Sequence, residues 1–367
     1  MKSFKPFILV GIGLSLFLTA CGSNSASPTT APTTASPTPT PPAIYTWSLT
    51  GEKAPRDVRA NPIMVVKVEN DPSVRPQYGL DMADMVFEEL VEGGITRFAT
   101  VWQSQLPKEL GPVRSVRHVD AAIAAPMADL FVFSGGARPT IRFIKKTITS
   151  NTKIYSEGAP GMHRTRYHSM PHNLFLYPDK LIVKGNKTSS SDGFFVNPAQ
   201  LAQNGATAWT DITMPATALK TPSVALTFSN FEYSNWTWDA PTGTWLRKDQ
   251  GRVHTAADGT QIHAKNIVII RVKTGDAGYN DPAGHFVPRT ILTGTGTGYL
   301  LSNGLSIPIK WSKTTDRSQM ALTDLMGAPV SIPIGNTWVE LVPLDGGKAV
   351  VKVIKPVVSA SPTPSKS

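Results

Sequence analysis

The sequence predicts an α+β or α/β N-terminal domain with a mixed sheet, followed by a β-rich C-terminal domain. Three observations carry this reading. Residues 44–180 mix strand and helix signals, residues 223–358 carry strand patterns cut by turn signals, and residues 181–222, with the run KGNKTSSSDG, form a polar boundary loop region. In the first segment, Ile63 to Val68 (IMVVKV) is a short apolar run of the buried-strand kind. Val86 to Glu92 and Arg97 to Gln103 read as two strands around Gly93-Gly94, a hairpin signal. Val119 to Met127 is Ala-rich and helix-like, and Asp129 to Phe133 is a short buried strand. Gly135-Gly136 follows, and Pro139 opens a helical pattern with Ile141, Ile144 and Ile148 on one side. In the second segment SVALTF, NIVIIRV, GYLLS, LSIPIKW and WVELVP alternate with turns such as Asp258-Gly259 and Asn303-Gly304. Trp236, Trp238 and Trp245 flank a hairpin there and read better as core or cross-strand residues than as a sugar-stacking platform.

The chain has 367 residues, 41% of them hydrophobic and 17% charged, with 31 prolines and a formal charge of +10. That supports buried cores and excludes wholesale disorder. One cysteine excludes an internal disulfide framework, Cys-based zinc ribbons and iron–sulfur clusters.

That cysteine has a telling position. Lys2 and Lys5 precede an apolar stretch from Phe7 to Leu18, too short to cross a bilayer that needs about 20 residues. Leu18-Thr19-Ala20-Cys21 then resembles the lipobox of bacterial lipoproteins. The resemblance implies a signal peptide over residues 1–20, lipid attachment at Cys21 and a membrane tether. Loss of the two signal lysines lowers the formal charge from +10 to +8. Residues 21–43 continue from the cysteine into a Pro/Thr/Ser stalk with nothing to bury, expected to be disordered, with a reach of at most about 70 Å at about 3.1 Å per residue. Residues 359–367 form a tail of the same character. The address is the extracytoplasmic face of the bacterial cytoplasmic membrane.

Several runs together, Arg75-Pro76-Gln77-Tyr78-Gly79-Leu80, Glu92-Gly93-Gly94-Ile95-Thr96-Arg97-Phe98, Gly111-Pro112-Val113-Arg114-Ser115-Val116-Arg117, Pro171-His172-Asn173-Leu174 and Gly335-Asn336-Thr337-Trp338, resemble the YerB-like lipoproteins. These are a bacterial family of paired N- and C-terminal domains of unknown function. The resemblance spans about 62–180 and 223–343 and implies a surface lipoprotein, with no established reaction. The family usually shows a Gly-Gly-Ser-Pro turn, whereas this chain has Gly135-Gly136-Ala137-Arg138-Pro139 and so lacks that serine hydroxyl.

Charge is segregated along the first segment. Residues 138–173 carry seven arginines and lysines against the single acid Glu157, and residues 81–92 carry five acids and no base. Internal pairing with a solvated helix face would account for this, and so would an anion site. In the second reading a strand ending at Phe133 runs through Ser134, Gly135 and Gly136 into a helix, whose free N–H groups attract anions. Guanidinium groups grip carboxylate or phosphate bidentately. The candidate residues are Arg97, Arg114, Ser115, Arg117, Ser134, Gly135, Gly136, Arg164, Arg166 and Asn173. If the protein is an enzyme, Glu92 and His172 are the acid/base candidates.

Other chemistries find little support. The run from His163 to Asn173 holds three histidines, but two arginines intervene and no acid does, so no metal is expected. No P-loop, G-x-S-x-G or H-E-x-x-H occurs, and no cofactor is expected. Ser150-Asn151-Thr152-Lys153 and Lys273-Thr274-Gly275 match two penicillin-binding signatures, but S-x-N occurs nowhere. Basic residues are not interleaved with aromatics in a nucleic-acid module. The expectation is a membrane-anchored, non-catalytic protein that binds a cell-wall component such as peptidoglycan or teichoic acid, or assists cell-wall assembly proteins. The alternative is an envelope enzyme acting on an anionic or glycan substrate.

Overall fold

A computed structural model describes residues 45–54, 61–182, 193–197, 213–281 and 283–354. Cys21, the signal segment, the stalk, the tail and most of the boundary loop lie outside the described residues. No helix among the described residues is long and apolar enough to cross a membrane.

The chain enters through a small hairpin, β1 (Tyr45–Thr46) with β2 (Lys53–Ala54). The expected strand at 63–68 is β3 (Met64–Glu69), and all six of its residues are buried. An interior strand covered on both faces needs such a near-continuous apolar run. The hairpin is β4 (Met85–Leu90) and β5 (Thr96–Trp102), joined by a tight turn in which Gly93 and Gly94 take φ of 72° and 73°. That left-handed backbone strains any residue with a Cβ. Helix α1 (Val119–Ala124) is wholly buried and leads to β6 (Leu130–Val132). Helix α2 (Arg138–Thr147) has Pro139 in its first turn and leads to β7 (Lys153–Tyr155). A separate hairpin, β8 (Met162–Arg164) and β9 (Leu174–Leu176), holds a long loop at its tip.

The second segment is all strand: β10 (Leu219–Thr227), β11 (Tyr233–Asp239), β12 (Thr244–Asp249), β13 (Arg252–Val253), β14 (His263–Ala264), β15 (Asn266–Asn280), β16 (Phe286–Ile291), β17 (Gly294–Ser302), β18 (Leu305–Lys313), β19 (Ala321–Thr323), β20 (Thr337–Pro343) and β21 (Lys348–Ile354). Trp236 and Trp245 are fully buried, and Trp238 faces Trp245 across the β11–β12 hairpin.

Strand β20 joins the two segments. It runs parallel to β15 on one side and to β4 on the other, so Trp338 lies opposite Ile267 and Val86. In the first segment β3 pairs antiparallel with β5 and parallel with β6, which makes the sheet mixed. Alternation then divides the core between two faces. Val65, Val268 and Val339 belong to one apolar cluster, and their neighbours Val66, Ile267 and Trp338 to the other.

Candidate anion-binding site

The period-two rule carries the first face from apolar to ionic along its length. On β3 the sequence Val65, Lys67, Glu69 stays on that face, and register sets Glu69 opposite Arg97 on β5, with Arg97 opposite Glu89 on β4. All these groups are buried and need partners. Lys67 Nζ bonds to Glu89 and lies 2.9 Å from Asp120 of α1. Asp120 accepts from the backbone N–H of Arg117 at 2.6 Å. Burial raises the Glu89 carboxyl to about 7, Asp120 adds to the rise, and Lys67 opposes it.

Three arginines emerge from this network. Arg117 donates from Nε to Glu92 Oε2 at 2.7 Å and from Nη2 to Glu92 Oε1, a bidentate fork. Arg97 Nη2 donates to the same carboxylate at 3.1 Å. Arg114 lies with Nε 2.9 Å from Glu69 Oε1 and donates from Nη1 to the Pro171 carbonyl at 3.2 Å. Burial lowers all three guanidinium groups from their usual range, while Glu69 raises Arg97 and Arg114, and Glu89 raises Arg97 and Arg117.

The glycine turn sits against this cluster. Ser134 N–H donates to the Arg114 carbonyl at 2.9 Å, and Val116 N–H to the Gly135 carbonyl at 2.9 Å. The hydroxyls of Ser115 and Ser134 are 3.4 Å apart. A Cβ on Gly136 would come within 2.9 Å of Val116 Cγ1, so this close approach favours glycine. No side chain caps the N-terminus of α2, which starts after Ala137. A cavity of about 680 Å³ opens here, and Glu92, Arg97, Arg114, Ser115, Arg117, Gly136 and Ala137 are among the residues that line it.

Other predicted site residues lie elsewhere. Ser134 and Gly135 are next to the lining residues without belonging to them. Arg164 donates to Glu157 and, from Nη1, to Asn173 Oδ1 at 2.7 Å, within the β8–β9 hairpin. Arg166 is exposed on the loop of that hairpin. His172 Nδ1 is 3.0 Å from Glu69 Oε2, so it touches the carboxylate that also holds Arg114. Glu92 has both oxygens taken by guanidinium groups.

Another part of the lining is one that sequence reasoning missed. Tyr279, Asn280 and Asp281 come from the end of β15 and the turn beyond it, and Val287 from β16. Tyr279 OH is 2.6 Å from Thr140 Oγ1 on α2, which fixes this arm against the first segment, and the His118 ring packs 6.2 Å from the Tyr279 ring. The signal available was the run GDAGYNDPAGH, which is turn-rich although its first half continues strand β15.

A second ionic cluster occupies the other face. Glu88 lies opposite Glu340 across β4–β20, and Arg247 donates to Glu88 at 2.6 Å and to Asp249. The guanidinium is stacked near Phe98, Trp236 and Trp338. Burial works against the charge of Arg247, but Asp249, Glu88 and Glu340 outweigh it and raise the group. Glu88, Glu232 and Asp249 bring carboxylate oxygens within 4.8 Å of one another, a spacing a metal ion accepts. Arg247 supplies the positive charge there. Burial, together with Asp249 and Glu88, raises the Glu232 carboxyl to about 9. Burial, with Glu88 beside it, holds the Glu340 carboxyl well above its usual range. Burial and the Arg247 charge hold the His254 ring well below its usual range, as a neutral link between Arg247 and Gln77.

Comparison with known proteins places this architecture. The chain is 28% identical over 310 residues to the protein named Putative lipoprotein YerB of Bacillus subtilis strain 168, which covers 80% of this chain and 85% of that protein. The crystal structure of the YerB protein from Bacillus subtilis has the same fold, with a TM-score of 0.67 over 83% of this chain and 99% of that one, at 23% identity. Two family models match in order, the N-terminal domain model over residues 49–191 and the C-terminal domain model over 224–339, and the chain belongs to the family described as protein of unknown function DUF3048.

Proposed function

We propose that the chain is a lipid-anchored protein of the extracytoplasmic face of the bacterial cytoplasmic membrane that binds, without catalysis, an anionic group of a cell-wall component. The observation that carries the binding reading is the convergence of Arg97, Arg114 and Arg117 with the uncapped end of α2 on one open cavity. Glu92 supports it from within: the chain's own carboxylate fills the guanidinium fork that an anionic ligand would use. Arg114 retains donor capacity, since its Nη2 makes no hydrogen bond among the described residues. The signal-like N-terminus and Cys21 support the anchor, and so does the lipoprotein name of the relative. The engagement of both Glu92 oxygens by Arg97 and Arg117 favours binding over acid/base chemistry at that residue.

The test is co-sedimentation of the purified protein with isolated bacterial cell walls. The wild type is expected to sediment, with binding that weakens as salt rises. Arg114→Gln is expected to reduce it about tenfold, the loss of about one charge-assisted hydrogen-bonded pair. Equal sedimentation of wild type and variant, or none of the wild type, would refute the reading.

A further inference from the structure

We propose that the buried Lys67 amine condenses with the Asp120 carboxyl to an internal amide, a covalent cross-link between β3 and α1, with Glu89 as the acid/base that moves the protons. The proposal is independent of the anion reading, and none of the three residues lines the cavity.

An amine and a carboxylic acid lose water to form an amide when they are held together, when a second acid relays protons, and when water is kept out. All three conditions are met here. Lys67 Nζ lies 2.9 Å from Asp120 Oδ1. The other oxygen, Oδ2, accepts from the backbone N–H of Arg117 at 2.6 Å, a donor placed where negative charge grows on a tetrahedral carbon. Glu89 is bonded to the same Nζ. Burial raises its carboxyl to about 7 and the Asp120 charge adds to the rise, so it exchanges a proton near neutral pH. Lys67 and Asp120 are 0% exposed and Glu89 is 1% exposed.

The choice of lysine is informative. On the other face of the sheet the buried cation between carboxylates is Arg247, held by Glu88 and Asp249. A guanidinium stays protonated and has no lone pair to attack with, so that cluster balances charge and does nothing more. The buried Lys313 donates to the backbone carbonyls of Asp316 and Ser318, which are not acids. Among the described residues, Lys67 alone sets a buried amine between two carboxyl groups. The guanidinium groups beside them, Arg97 and Arg117, are held by Glu92.

The step balances without any further reactant. The Lys67 ammonium passes one proton to Asp120 Oδ1, and its freed lone pair attacks the Asp120 carboxyl carbon. A C–N bond forms and the carbonyl pair moves onto Oδ2, under the Arg117 N–H. Glu89, as the neutral acid, gives its proton to Oδ1 and takes one from the attacking nitrogen. The C–Oδ1 bond breaks, Oδ1 leaves as water with the bonding pair, and the carbonyl re-forms as an amide. Glu89 ends as it began. The new bond spans 53 positions and closes the β4–β5 hairpin into a covalent loop. In a chain with one cysteine, no internal disulfide serves that purpose.

The experiment is a digest of the purified, denatured full-length protein read by mass spectrometry. The wild type is expected to yield one branched peptide that holds Lys67 and Asp120 and is lighter than its two parts by one water, with fragmentation placing the branch at those two residues. Lys67→Arg keeps the charge without the nucleophile and should yield only the separate peptides. Glu89→Gln keeps the shape without the relay and should slow cross-linking at least about a hundredfold. Circular dichroism checks that each variant is folded; the wild-type digest decides on its own if one is not. Separate peptides of full mass from the folded wild type would show a plain buried ion pair and overturn the proposal. A branch at Glu89 in place of Asp120 would overturn the assigned roles, and a branch that forms as fast in folded Glu89→Gln would overturn the relay.

Discussion

Replacing Glu232 with glutamine should stabilise the protein at alkaline pH and leave acid stability unchanged. Glu232 is fully buried beside Asp249 and Glu88, and its carboxyl titrates at about 9 in the fold against an ordinary 4.5. A carboxylic acid held neutral in the native state binds a proton that the unfolded chain has already released. Stability from that proton is complete below about pH 4.5 and drains away as pH rises toward 9, at about 1.4 kcal/mol per pH unit. Between pH 5 and 8 the ceiling is therefore about 4 kcal/mol. Glu232 sits on a turn next to the exposed Phe231, so relaxation toward water makes about 2 kcal/mol the working expectation. Glutamine has nearly the same shape; its amide can donate to Asp249 and still accept from Gln250, which donates to Glu232 at 3.1 Å. The assay is urea unfolding of wild type and Glu232→Gln at pH 5, 6, 7 and 8. The gap in unfolding free energy should open in favour of the variant as pH rises. Parallel profiles, or a variant weaker at every pH, would refute the proton-sharing account of this cluster.

Other perturbations reach different parts of the molecule. Glu92→Gln removes the charge that occupies Arg97 and Arg117, and anion affinity measured by calorimetry should rise about tenfold; weaker binding would mean that Glu92 contacts the ligand itself. Arg247→Met leaves Glu88 and Asp249 buried without their cation and should cost about 3–5 kcal/mol at pH 7, with part of the loss recovered in acid as those carboxylates protonate. Gly298→Ala places a Cβ 1.8 Å from the Ile269 carbonyl oxygen in the β15–β17 pairing and should cost about 3 kcal/mol or more in urea denaturation; a change below about 1 kcal/mol would show that the strands part easily.

Much of the local structure was legible because local rules determine it. The run at Met64–Glu69, the Gly93-Gly94 hairpin and the Pro139 helix start each depend on residues a few positions apart. The glycine turn could be placed in advance, because a strand and its following turn must lie near the helix they feed, whereas Arg114 and Arg117 were joined to it only by the affinity of guanidinium groups for anions. Arg164 shows the limit of that reasoning. Charge segregation pointed it at the site, yet the one acid in its own run, Glu157, lies close enough to claim it. The Tyr279 part of the lining was illegible for a different reason: Tyr279 meets Thr140 across 139 positions, and no periodicity reports such a contact. Glu88, Arg247 and Glu340 were hidden because a charge inside a strand reads as solvent-facing until its partners are known.

The two ionic clusters are joined through one strand. Glu88 and Glu89 are consecutive on β4 and point to opposite faces, Glu88 to Arg247 and Glu89 to Lys67. A slip of one residue in the β4–β20 pairing would exchange them, turning Glu88 toward Lys67 and taking its neighbour Phe87 out of the apolar cluster it shares with Phe194. An apolar strand tolerates some slippage, whereas a buried charge that must meet one partner does not. On its other edge β4 pairs with β5, which sets Glu89 opposite Arg97, and Glu92 holds Arg97 together with Arg117. The strand that carries the hairpin of the anion cavity is thus flanked on its other side by β20, some 250 positions away. A fragment ending at the boundary loop would lack β20, the Arg247 counter-charge and the Tyr279 wall together, so it should fail to bind as well as fail to fold.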